Sequence, residues 1–141
     1  MNKILVVEDE ESIADMLRHC LEAEGHLVIL AENGKTALNW IKEVRVDLAI
    51  IDLGLPDMHG LEVCRTIKED PKTRSVPIII LTGNSSNVAK IEANLDANAD
   101  LFLNKPISID DLNKAVAMVF EKSGKKKLLL RNSLKTRFDN Q

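Results

Sequence analysis

Two apolar runs in this chain end on acids: Glu8 and Asp9 follow the run in MNKILVVEDE, and Asp52 ends DLAIID at 47–52. After Asp52 the chain breaks into Gly54, Pro56 and Gly60, and a strand-like run that stops on a bare carboxylate needs a chemical reason. Carboxylates brought together repel one another unless a cation sits among them. With no His or Cys cluster in the sequence to favour zinc, oxygen donors point to Mg²⁺, which prefers a few carboxylates plus phosphate oxygen to a closed protein cage. A carboxylate is also a competent nucleophile toward phosphorus, giving an aspartyl phosphate. Two further residues suit that chemistry. The Thr82 hydroxyl, ending PIIILT at 77–82, can hydrogen-bond a phosphoryl oxygen, and the Lys105 ammonium, following LFLN at 101–104, can balance the charge on a transferring group.

These residues need a scaffold that brings distant strand ends together. The runs KILVV (3–7), LVILA (27–31), DLAIID (47–52), PIIILT (77–82) and LFLN (101–104) are rich in Val, Ile and Leu, and those apolar throughout read as parallel strands covered on both faces. Helical stripes separate them: Ile13, Met16, Leu17, Cys20 and Leu21 on the first helix, Ala37, Trp40, Ile41 and Val44 on the second, and Leu112, Ala115, Val116 and Val119 on the last. Gly25 closes the first helix, Asn33-Gly34 opens the second, Pro71 ends the third and Ser108 with Asp111 forms a capping box for the fifth. The fourth helical segment, about 86–97, has the weakest propensity because Asn87, Asn94 and Asn98 compete for their own backbone. Five strand–helix repeats predict an α/β (βα)5 fold, a doubly wound parallel sheet with right-handed crossovers. Ligand chemistry in such sheets gathers at the carboxyl ends of the strands, where all the polar ends named above lie.

The motifs VVEDE, IIDLGLPDMHG, IIILTG and ANADLFLNKPI, in this order and spacing, resemble the response-regulator receiver domain of two-component signalling, from residue 2 to about 122. The resemblance implies a flavodoxin-like fold with strand order 2-1-3-4-5. It implies Asp52 as phosphoacceptor, Glu8 and Asp9 as the acidic metal pair, and the Gly54 backbone carbonyl as a further Mg²⁺ ligand. It makes Thr82 and Lys105 the signalling Thr and Lys, and Lys105-Pro106 a cis bond. The switch aromatic, often Tyr, is Phe102 here, which can rotate inward but offers no hydroxyl. Before phosphorylation Thr82 is expected to be free and Phe102 at least partly exposed. The implied function is acceptance of a phosphoryl group from a histidine kinase or histidine phosphotransfer protein, followed by a change in the surface of helix 4, strand 5 and helix 5. A downstream protein target reads that surface, which could also form a homodimer.

At 141 residues and 45% hydrophobic, the chain is read as one receiver domain over 1–122 plus a tail over 123–141. The tail carries six Lys/Arg against one acid, a net of +5, which leaves 1–122 at −8 within the chain total of −3. It opens on a linker-like Ser-Gly and is read as a linker or a short helix, with Leu130, Leu134 and Phe138 spaced for one face. Neither a signal-peptide core nor a membrane-length apolar run is present, so a cytoplasmic bacterial protein is expected. Cys20 and Cys64 are read as core filler on opposite faces of the sheet, His19, His26 and His59 as solvated, and nucleic acid is not expected as a partner. Among rivals, a haloacid-dehalogenase-like phosphatase would place a second Asp two residues after the nucleophile, where this chain has Gly54. A phosphoacceptor that takes part in its own phosphotransfer and autodephosphorylation is therefore expected, rather than an enzyme. A receiver fragment of a longer regulator, its output domain missing, is a second rival. An FMN binder is a third, disfavoured because the first strand–helix loop is acidic.

Overall fold

A computed structural model describes residues 2–83 and 99–139, the stretch 125–139 through its helical backbone alone. The five apolar runs become β1 (Lys3–Val7), β2 (Leu27–Ala31), β3 (Leu48–Asp52), β4 (Ile78–Thr82) and β5 (Leu101–Asn104). They form one parallel sheet in the order β2-β1-β3-β4-β5. The central strands β3 and β4 are buried at every position, as expected of strands covered on both faces.

Strand alternation divides the core in two. Leu5, Val7, Ala49, Ile51, Ile78 and Ile80 face α2 (Gly34–Glu43) and α3 (Gly60–Glu69), which contribute Ala37, Ile41, Val63, Cys64 and Ile67. Ile4, Val6, Leu48, Ile50, Ile79 and Leu81 face α1 (Glu11–Ala23) and the C-terminal helix (Ile109–Asp139), which contribute Leu17, Leu21, Leu112, Ala115, Val116 and Val119. Cys64 thus lies on one face, fully buried, and Cys20 packs against the cluster on the other, both as free thiols. Burial pushes the Cys64 thiol up to about 12, with Lys68 opposing the rise.

The helix ends follow local chemistry. Gly25 takes φ +90° after α1, a conformation that costs a residue without Cβ little. Asn33 caps α2, its side chain accepting from Thr36 N–H at 2.8 Å, and Ser108 Oγ accepts from Asp111 N–H at 3.0 Å. Two readings differ from the structure. Trp40 is 37% exposed, because the buried stripe of α2 centres on Gly34, Ala37 and Ile41 and leaves the indole on its flank. His26 is half-buried against the Phe120 ring, with centroids 5.7 Å apart, whereas His59 is exposed as expected and in addition caps α3, Nδ1 accepting from Leu61 N–H at 3.2 Å. The C-terminal helix runs through Ser123 and Gly124, where the tail is open to either a linker or a short helix from sequence. One glycine costs a helix interior only about 1 kcal/mol, less than the surrounding Lys and Leu can offset. The fourth helical segment (86–97), with Asn87, Asn94 and Asn98, lies outside the described residues, as do the side chains of Leu130, Leu134 and Phe138.

Candidate functional site

Register brings the acids together. β1 and β3 pair in parallel with Val7 opposite Ile51, so Glu8 and Asp52 follow at the same height. Glu8 continues the Ile4–Val6 row and Asp52 the Leu48–Ile50 row, so both carboxylates leave the same side of adjacent strands. Glu8 is anchored by its own N–H, which donates to the Ala31 carbonyl at 3.0 Å. One carboxylate oxygen from each of Glu8, Asp9 and Asp52 lies within 4.8 Å of the others. Glu8 and Asp52 are buried, 2% and 6% exposed, while Asp9 is exposed at the rim.

β5 delivers the cation. Its last residue, Asn104, lies opposite Thr82, and the next amide, Lys105 N–H, donates to the Thr82 carbonyl at 2.8 Å. The Lys105–Pro106 bond is cis. Lys105 Nζ stands 2.7 Å from Glu8 Oε1 and 3.2 Å from Asp52 Oδ2, bridging the two buried carboxylates. Burial alone would lower the pKa of Lys105, but Glu8 and Asp52 together outweigh it and hold the ammonium above its ordinary value. Burial likewise pushes the Glu8 carboxyl up to about 7; Lys105 opposes that rise and Asp52 adds to it.

The site has the features of a divalent-cation centre. Its donors are all oxygens, and Glu8 Oε2 is buried without a hydrogen-bond partner, an orphan that a bound cation would satisfy. Gly54 is exposed beside it, close enough that a Cβ there would lie 3.9 Å from Asp52 Oδ2. Thr82 is 3% exposed at the adjacent strand end, and the expectation that it stands free is not met, because it is engaged rather than unpartnered. Phe102, opposite Ile80, is half-buried against the α2–α3 side of the core.

Sequence reasoning passed over Asp57. Its carboxylate accepts from the Gly34 and Lys35 amides at 2.8 and 2.9 Å, tying the loop after β3 to the start of α2. An acid in a loop carries no local signal of a partner more than twenty residues away.

A doubly wound parallel sheet with an acidic, lysine-bridged cluster on its carboxyl rim defines a class of α/β proteins whose ligands bind at that rim. The chain belongs to the response regulator receiver domain family, whose model matches residues 4–117, and is a receiver domain of a two-component system. It is 36% identical over 129 residues to the response regulator ArlR of Staphylococcus saprophyticus, an alignment covering 92% of this chain and 57% of ArlR. Among solved structures it resembles a CheY-like receiver domain protein of Methanospirillum hungatei, with a TM-score of 0.82 and 28% identity over 89% of this chain and 98% of that one. It also resembles the response regulator TrrA of Thermotoga maritima, solved in complex with Mg²⁺ and BeF, with a TM-score of 0.75 and 34% identity over 84% of this chain and 99% of that one. The chain spans about half the length of the curated relatives it matches. Among the described residues no helix is long and apolar enough to cross a membrane.

Proposed function

We propose that this chain accepts a phosphoryl group on Asp52 from a phosphohistidine of a histidine kinase or phosphotransfer protein and relays the change to a partner protein. The observation that carries this reading is the placement of Asp52 at the end of β3, with Lys105 Nζ at 3.2 Å and Glu8 and Asp9 alongside. A carboxylate oxygen of Asp52 forms the new P–O bond as the P–N bond to the donor imidazole breaks, and the leaving nitrogen retains the electron pair. Lys105, held charged by its two acidic neighbours, stabilises the negative charge gathering on the phosphoryl oxygens. Glu8, Asp9, Asp52 and the Gly54 carbonyl would hold Mg²⁺. When bound, that ion supplies charge neutralisation and orientation of the phosphoryl oxygens. The complex of TrrA with Mg²⁺ and BeF supports the same use of this site.

Residues 1–122 act as the receiver and 123–141 as a basic extension. Hydrolysis of the aspartyl phosphate by the domain itself ends the signal. Thr82, beside Asp52 on the next strand, turns to the new phosphoryl oxygens, and Phe102 follows inward, reshaping β5 and the C-terminal helix for a downstream protein or a second copy. The donor is met in the cytoplasm.

The test is intact-mass spectrometry after incubation with acetyl phosphate. One hydroxylamine-labile phosphoryl group should appear with Mg²⁺ and disappear on chelation, and Asp52→Asn should abolish it with the fold retained. Equal incorporation in Asp52→Asn would move the acceptor elsewhere.

A further inference from the structure

The loop between β3 and α3, residues 53–59, is fastened at two points. At its base the Gly60 N–H donates to the Leu53 carbonyl at 2.9 Å, and the backbones come so close that a Cβ on Gly60 would lie 2.3 Å from the Asp52 carbonyl oxygen. At its tip Asp57 Oδ1 accepts from Gly34 N–H at 2.8 Å and Oδ2 from Lys35 N–H at 2.9 Å. These are two of the amides that a helix start leaves without an internal partner. Thr36 N–H is taken by the Asn33 side chain and Ala37 N–H by the Asn33 carbonyl, so α2 divides its open amides between its own cap and this loop. Met58 lies over the same helix start, filling the space a side chain on Gly34 would need: a Cβ there would meet Met58 Cγ at 2.5 Å. The two backbone amides hold the Asp57 carboxyl below its usual range, so it stays ionised in the clamp.

Between the two fastenings lie only Gly54, Leu55 and Pro56, and Gly54 is the loop residue beside Asp52 Oδ2. We propose that Asp57 is a positioning residue: by pinning the 53–59 loop to the start of α2, its carboxylate holds the Gly54 carbonyl in place to complete the cation site formed by Glu8, Asp9 and Asp52. The inference rests on the Mg²⁺-dependent phosphoacceptor reading. Asp57 itself touches neither ion nor phosphoryl group. Its bidentate grip sets the loop's height above the β3 end, and without it the helix cap survives on Asn33 while the loop loses its tether.

Mg²⁺ affinity is read directly, by isothermal titration calorimetry and by the Mg²⁺-dependent shift in melting temperature. Asp57→Ala is expected to weaken Mg²⁺ binding about tenfold, the lower end for loss of a group that orients metal ligands. Acetyl phosphate labelling should slow in proportion at limiting Mg²⁺ and recover at saturating Mg²⁺. Asp57→Asn, keeping one acceptor oxygen, should regain part of the affinity. Asn33→Ala removes the cap of α2 without touching the loop, and is expected to lower the melting temperature while leaving Mg²⁺ affinity unchanged. Wild-type Mg²⁺ affinity in Asp57→Ala, or equal weakening in Asn33→Ala, would reduce Asp57 to a helix cap and overturn the proposal. If Asp57→Ala does not fold, Asp57→Asn against Asn33→Ala makes the same comparison. A wild-type chain that binds no Mg²⁺ and takes no label overturns the phosphoacceptor reading itself, a result distinct from wild-type labelling that is indifferent to Asp57.

Discussion

Glu8 illustrates how a single side chain can carry opposing demands. Strand register buries it, burial favours its protonated form, and Lys105 at 2.7 Å favours the ionised one. Burial prevails, and the folded-state value of about 7 stands above the ordinary 4.5. In the metal-free protein the folded state therefore holds a proton that the unfolded chain has already released. The associated stability is complete below about 4.5 and is lost as pH rises toward about 7. Chelated wild type should lose on the order of 1 kcal/mol per pH unit across that window relative to Glu8→Gln, by denaturant titration. Mg²⁺ binding, which needs the carboxylate, should strengthen over the same window. A wild-type minus Glu8→Gln difference that is flat with pH would remove burial of Glu8 as the cause.

At the scale of elements, two glycines at helix starts have different roles. A Cβ on Gly60 would collide with backbone, at 2.3 Å from the Asp52 carbonyl oxygen and 2.7 Å from Leu53 Cα, and neither can move without shifting the end of β3. A Cβ on Gly34 meets the side chain of Met58, a flexible group that can turn away, and lies 3.0 Å from Cγ2 of buried Val63, which must give by a few tenths of an ångström. Gly60→Ala is expected to cost about 3 kcal/mol, at the high end for overpacking. Gly34→Ala should cost less, about 1 kcal/mol at the low end for overpacking, because Met58 can move and only Val63 must give. Thermal melts of the two variants check the order; equal losses would mean that Met58 is as fixed as the β3 backbone.

For the whole molecule, the sheet separates two cores that share strands but not side chains. Leu17 fills the side toward α1 and the C-terminal helix, and Ile67 the side toward α2 and α3. Each truncation to Ala should cost about 2–5 kcal/mol. The double variant should equal their sum within about 0.5 kcal/mol, as for separated sites. A double-variant loss well short of that sum, by urea titration, would mean that the sheet transmits repacking from one face to the other.

Much of this architecture was legible in the sequence because its signals are local. Apolar runs of strand length lie at 3–7, 27–31 and 101–104 as expected, and the runs at 47–52 and 77–82 begin one residue late, at Leu48 and Ile78. Asn33 and Ser108 cap their helices through bonds three residues long. Acids and a lysine at strand ends converge because a parallel sheet places every carboxyl end on one rim. What the chain order could not show depends on contacts between distant segments. Only the packed sheet sets Lys105 closer to Glu8 than to Asp52, engages Thr82, leaves Trp40 on a flank and clamps Asp57 to α2. Packing between distant segments fixes those contacts, whereas hydrophobic pattern and cap chemistry fix only which face a residue joins.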